Sequence, residues 1–327
     1  MRVCVTITSL LLIVICCYSI FELKSNDTQE VNNTRKWYLS AVDNLDEKVD
    51  ELCDVLKQHK SADEVQQAFR NARLAYKKIE FVVEYYHPYT AQFINNPVIR
   101  GQRTDLQGFQ ELEMLLFPVF HSSGSETAYS EALKIRSVVD RLQDESRKIS
   151  PTDAQLFDAM RLELVRIMSA GLSGFDSPVA NNSLKEAVAS LDGVSEVWQF
   201  YVPTVNIYNP SLVKYMDELF RESKQHLLTA DYTSLDRDKF ITSYVNNLAV
   251  NLKLAREALR IPYDNQQHIL DPAASHIFAK NAILPLYSSP DSTLDTVVYN
   301  INGQKFTASY LNGLLKQNGA LGNYASK

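Results

Sequence analysis

Within these 327 residues there is no Cys-x-x-Cys, no His-Glu-x-x-His and no Gly-x-Ser-x-Gly. Covalent c-type haem, a paired-cysteine zinc or redox centre, a zincin helix and a serine-hydrolase elbow are thereby excluded from the chain. Of the four cysteines, Cys4, Cys16 and Cys17 crowd the start. Cys53 is left alone in the body, unable to form an internal disulfide, and reads as a small core residue. Ten glycines and eleven prolines are few for this length, which favours long uninterrupted helices. The formal charge of −6, with no concentrated basic stretch, argues against a nucleic-acid partner.

What is present is an ordered series of apolar stripes at helical spacing. After Met1-Arg2, the run Val3–Tyr18 has the length of a signal-peptide core and is short for a spanning helix. Residues 1–27 are therefore read as an export signal or a membrane or lipid anchor, followed by a polar tether. The expected location is the periplasm or cell envelope, with the membrane touched only through this segment. Helices are predicted over 31–59, 61–87, 104–117, 127–149 and 150–169, the last opened by Ser150-Pro151. A second group covers 183–201, 210–229 and 235–260, with Tyr201–Pro210 as a connection between bundles. After Pro262 the chain becomes loop-rich, with a short helix near Ala274–Ala282. Thr296–Ile301 and Gln304–Ala308 then read as a hairpin on Asn302-Gly303, and a final helix is expected at Ser309–Gln317. The fold class is all-α: two packed antiparallel helix bundles, residues 28–178 and 179–265, with a small C-terminal hairpin and loop segment over 266–327.

The chemistry concentrates between Ser61 and Pro118. Ser61-Ala-Asp-Glu64 has the form of a capping box. On the helix it opens, Arg73, Lys77, Glu80 and Glu84 share one face, and the two glutamates sit among apolar neighbours in Ile79-Glu-Phe-Val-Val-Glu-Tyr-Tyr86. On the next helix Gln110 and Glu113 share a face. Carboxylates facing inward need a cation or basic partners. Two arrangements answer that need. One is a hard metal ion held by Glu113 and Gln110 with Glu80 or Glu84. The other is an internal network in which Arg73, Lys77, Arg161 or Arg166 neutralises the acids, Glu163 among them. The network predicts a loss of about 3–5 kcal/mol for Glu113→Gln, the usual result of breaking a buried pair. A ferritin-like centre is not completed, because Glu84-x-x-His87 is the single Glu-x-x-His pair found.

Three blocks carry a resemblance. Gly108-Phe-Gln-Glu-Leu-Glu113 resembles the Gly-x-His-x-x-Glu signature of imelysin-type proteins, with Gln110 in the histidine position. The glutamine form is similar to the helical domain preceding the two-haem cytochrome c peroxidase module of some bacterial proteins. Phe69–Tyr85 and Arg161–Arg166 with Gly171–Pro178 support it, and together the blocks span about residues 30–265. The resemblance implies an imelysin-like helical fold and an exported, non-catalytic accessory domain. It implies a haem peroxidase or another envelope redox protein as partner, and a peroxidase module beginning roughly where the loop-rich segment stands. The imelysin side implies instead a metal-binding protein of iron uptake, or a peptidase of that type. No complete catalytic set is found, and no cofactor is assigned within the chain beyond the metal ion of that alternative.

Overall fold

The computed structural model describes residues 28–95, 106–263, 271, 274–277, 279, 298–301 and 304–307. The export or anchor segment 1–27, the connection 97–103 and the helix expected at Ser309–Gln317 lie outside the described residues.

Helix α1 (Gln29–Lys57) begins at Thr28, whose hydroxyl accepts from the Val31 amide, and buries Val42, Leu45, Val49, Leu52 and Leu56. The three- and four-residue steps of that stripe are what make one face of the helix apolar. Both arms of the predicted capping box form at α2 (Ala62–Tyr86): Ser61 accepts from the Glu64 amide and the Glu64 carboxylate accepts from the Ser61 amide. The chain then turns through His87, where the sequence reading ended the helix, into α3 (Pro88–Ile94), a short helix that reading had not assigned. Proline suits this first helical position because it has no N–H to leave unpaired.

Helices α4 (Phe109–Leu116), α5 (Ser125–Ser146) and α6 (Asp153–Arg166) follow. The cap of α6 is Thr152, paired reciprocally with Gln155, and not the predicted Ser150-Pro151. The Thr-x-x-Gln spacing satisfies two amides at once, which a proline following serine does not. Helix α6 loosens into a wide turn over Ile167–Gly171. Helix α7 (Ser183–Tyr208) runs straight through Pro203, so the expected connection from Tyr201 is helical as far as Tyr208, and only Asn209 separates it from α8 (Pro210–Thr229). The final helical run is α9 (Arg237–Phe240), a second wide turn at Ile241–Val245, and α10 (Asn246–Ala258).

Contacts along α1 fix the directions. His59 meets Ser125 at one end and Tyr38 meets Ser146 at the other, so α5 runs antiparallel to α1. Trp37 donates to Glu196, and Thr204 donates to Glu30, so α7 is antiparallel to α1 as well. One continuous apolar core extends from Val31 to Ile277, with Trp198, Phe81 and Phe157 fully enclosed. The backbones of α2 and α7 nearly touch: a Cβ added at Gly193 would stand 1.8 Å from the Lys78 carbonyl oxygen. Only glycine admits that approach.

Beyond α10 the chain is tied back to α6. Buried Arg256 donates to Asp158 at 2.5 Å and to the Pro262 carbonyl at 2.6 Å, and Arg161 donates to the Ala274 carbonyl. Residues 274–277 form a bend and turn where a helix was expected. Strands β1 (Val298–Ile301) and β2 (Gln304–Thr307) pair antiparallel, Val298 opposite Thr307 and Ile301 opposite Gln304, as the Asn-Gly turn predicted. The molecule is an all-α helical bundle carrying this small hairpin.

Candidate functional site

The four α2 residues do share a face. Arg73, Lys77 and Glu80 are buried and Glu84 is partly exposed near the end of the helix. Buried charges of this kind require partners, and each finds one at a different depth. Arg73 grips Glu186 of α7 with two donors, Nε at 3.2 Å and Nη2 at 2.5 Å. Its remaining donors reach Asn95 Oδ1 and the Asp176 carbonyl, both at 2.6 Å. Lys77 bridges Glu80 and Asp176, the latter at 2.7 Å. Arg166 reaches Glu84 at 3.1 Å.

The glycine motif explains itself in this setting. Gly108 has φ +64°, and a side chain there would lie 2.2 Å from the Ile94 carbonyl. The pairing of Asn95 with Gly108 depends on that closeness, and it brings Gln110 onto Asn95. Gln110 Nε2 donates to Asn95 Oδ1 at 3.2 Å and to the Asp176 carbonyl at 2.5 Å. Three positions later, Glu113 Oε1 accepts from the Ser177 hydroxyl at 3.2 Å and from the Val179 and Ala180 amides at 2.9 and 2.7 Å. Gln110 and Glu113 are thus both committed to the loop 176–180.

Burial and charge pull against each other across the network. Burial lowers the Lys77 pKa, but Asp176 and Glu80 more than reverse it, holding the ammonium above its ordinary range. Burial raises Asp176, and Lys77 with Arg73 overcomes it, leaving that carboxyl below its usual value. For Glu186 and Glu84 burial wins, even against Arg73 and Arg166, and both are raised. Glu163 is the extreme. It is wholly buried, and the guanidinium of Arg166 stands 3.9 Å away at Nη1. Burial and the neighbouring Glu80 push it up to about 8, only partly opposed by Lys77, Arg166 and the Ser190 hydroxyl.

Of the residues singled out in the sequence, Arg73, Lys77, Glu80, Glu84, Gln110, Glu113, Glu163 and Arg166 are brought into this one region. Arg161 is not: partly buried on a different face of α6 from Glu163 and Arg166, it donates to the Ala274 carbonyl. Glu84 and His87 part company, Glu84 to Arg166 and His87 to Glu145 at 3.6 Å. Asn95, Asp176, Ser177, Glu186 and Ser190 complete the network and had not been picked out. Asp176 and Ser177 lie inside the Gly171–Pro178 block, which was the available signal.

The metal arrangement does not fit these positions. Glu80, Glu84 and Glu113 are held by Lys77, Arg166 and backbone amides respectively, and the Lys77 ammonium lies between Glu80 and Asp176. Among the described residues no three His, Cys, Asp or Glu side chains are grouped as metal ligands. Basic side chains reach Glu80 and Glu84, as the network reading required of at least one of these residues, whereas Glu113 has amides and a hydroxyl as partners. Glutamine keeps an acceptor there, so Glu113→Gln is expected to cost less than the 3–5 kcal/mol of a broken ion pair. Glu113→Ala strands two amides and a hydroxyl at about 1–3 kcal/mol each and is the more damaging change. Urea melts of the two variants check the order.

Fold and site together define a class: an all-α bundle with an enclosed ion network in which acids outnumber bases. In comparison with known proteins, the chain matches no family model, and a search of curated proteins gave no match.

Proposed function

We propose that the chain is an exported, non-catalytic helical accessory domain that docks onto, or tunes, a separate haem peroxidase or another redox protein of the cell envelope. The observation that carries this reading is the fate of the Gly-x-Gln-x-x-Glu block. Its glycine, glutamine and glutamate are all used to seat the loop 176–180 against α2 and α4, so the block builds the fold and presents no reactive group. The three blocks noted in the sequence and the apolar run before residue 19 support the rest.

Affinity capture of the tagged full chain from gently solubilised envelopes tests it. A co-purifying protein with a haem absorbance band is expected. Recovery of the chain without any haem or other redox protein, under conditions that preserve known envelope complexes, would remove the reading.

A further inference from the structure

One end of the bundle gathers features that a lipid surface would recognise. Thr28, where the described chain begins, donates to Asp153 at the start of α6, and Tyr201 near the end of α7 donates to the same carboxylate. Thr204 donates to Glu30. Arg35 of α1 donates to the Arg147 carbonyl after α5. The start of α1, the α5–α6 turn and the α7–α8 turn therefore share one end of the molecule.

Two observations give that end a character. First, Ile207 and Tyr208 at the tip of α7 are 76 % and 65 % exposed, with Tyr215 43 % exposed on α8. Second, Glu30 and Asp153 are turned toward hydroxyl donors, whereas Arg147, Lys148 and Lys214 are exposed; the exposed acids beside them are Asp144, 3.7 Å from Arg147, and Asp217 and Glu218, one turn along α8 from Lys214. Outward bases beside an exposed isoleucine and tyrosines match the requirements of an anionic bilayer interface. The length of chain outside the structure points to the same occupant. Ten residues separate Tyr18, the last of the apolar run, from Thr28, a reach of at most roughly 35 Å. An anchor at residues 1–18 would keep this end, rather than the Lys57–Ser61 end, near the surface.

We propose that the end of the bundle formed by Arg147, Lys148, Ile207, Tyr208, Lys214 and Tyr215 seats on an anionic lipid surface, orienting the domain on the membrane. The proposal rests on the reading of residues 1–27 as a membrane or lipid anchor.

Hydrogen exchange of the full chain tests it, comparing phosphatidylglycerol vesicles, phosphatidylcholine vesicles and detergent micelles. Slowed exchange over 204–215 and 146–151 is expected in phosphatidylglycerol only, with 57–62 unchanged. Replacing Lys148 and Lys214 by glutamate should weaken that protection by roughly fivefold or more per charge. Because both side chains are exposed, the melting temperature should stay that of the parent. A chain that floats with the vesicles but shows no protection at these segments, or protection at 57–62 instead, overturns the orientation and leaves the tether standing. A chain that stays in the aqueous fraction overturns both.

Discussion

Replacing Arg73 with methionine is expected to lower the unfolding free energy by about 3–5 kcal/mol, the range found when one partner of a buried ion pair is removed. Arg73 is wholly buried, and so are its partners Glu186, Asn95 and the carbonyl of Asp176. Methionine fills the stem's volume but leaves the buried Glu186 carboxylate without its two charged donors. The pairing itself need not stabilise relative to an apolar substitute, so Arg73→Met with Glu186→Leu should recover part of the loss. Guanidinium melts of the two singles and the double measure this. Equal losses in Arg73→Met and the double variant would show that the cost lies in packing and not in the stranded charge.

The second large effect is a dependence on pH set by Glu163. The network contains three bases, Arg73, Lys77 and Arg166, against six acids, Glu80, Glu84, Glu113, Glu163, Asp176 and Glu186. Full ionisation would leave an excess of negative charge in the interior. Glu163 relieves it by keeping its proton, its pKa pushed from 4.5 to about 8. A carboxyl raised on folding binds more protons in the native state. Its contribution is therefore complete below pH 4.5 and is lost as the pH climbs through about 8. Glu84 and Glu186 are raised too and act in the same direction, whereas Asp176 is lowered and acts only in acid, below 3.8. Stability is thus expected to fall between pH 5 and pH 8 by a few kcal/mol. Glu163→Gln, neutral at every pH, should flatten the upper part of that fall and melt above the parent at pH 8. A parent whose stability is level across the window, or a Glu163→Gln variant with the parent's slope, would refute the assignment. The protonated-carboxyl stretch in the infrared spectrum at pH 7, absent from Glu163→Gln, gives an independent reading.

Much of the frame is legible from residue order alone. Ser61 and Glu64 cap α2 because their spacing lets each satisfy the other's backbone, and that needs no distant partner. The face shared by Arg73, Lys77, Glu80 and Glu84 follows from helical geometry, and the hairpin from Asn302-Gly303. Partner choice is a different matter. Glu186 stands 113 positions after Arg73, among Ala, Val, Leu and Ser, where it looks like a solvated helix residue. Nothing local tells which side of α7 faces α2; that is settled by Gly193, whose missing side chain lets the backbones meet. Arg161 and Arg166 look alike in sequence, yet five residues on a helix turn them to different faces, one to Ala274 and one to Glu84. The connection expected over Tyr201–Pro210 is helical as far as Tyr208, and α7 carries Pro203 although proline is costly inside a helix.

The separation of these partners along the chain has a consequence for time. Arg73 and Glu186 are 113 positions apart, Lys77 and Asp176 99, Gln110 and Asp176 66, Glu113 and Ala180 67. A charge desolvated before its partner arrives is worse placed than one left in water. The network must therefore close late, after α1, α2, α5 and α7 have already come together through their apolar faces. Interactions that form after the transition state slow unfolding and leave the speed of folding unchanged. The charged interior sets how long the native bundle lasts, while its apolar stripes set how fast it forms.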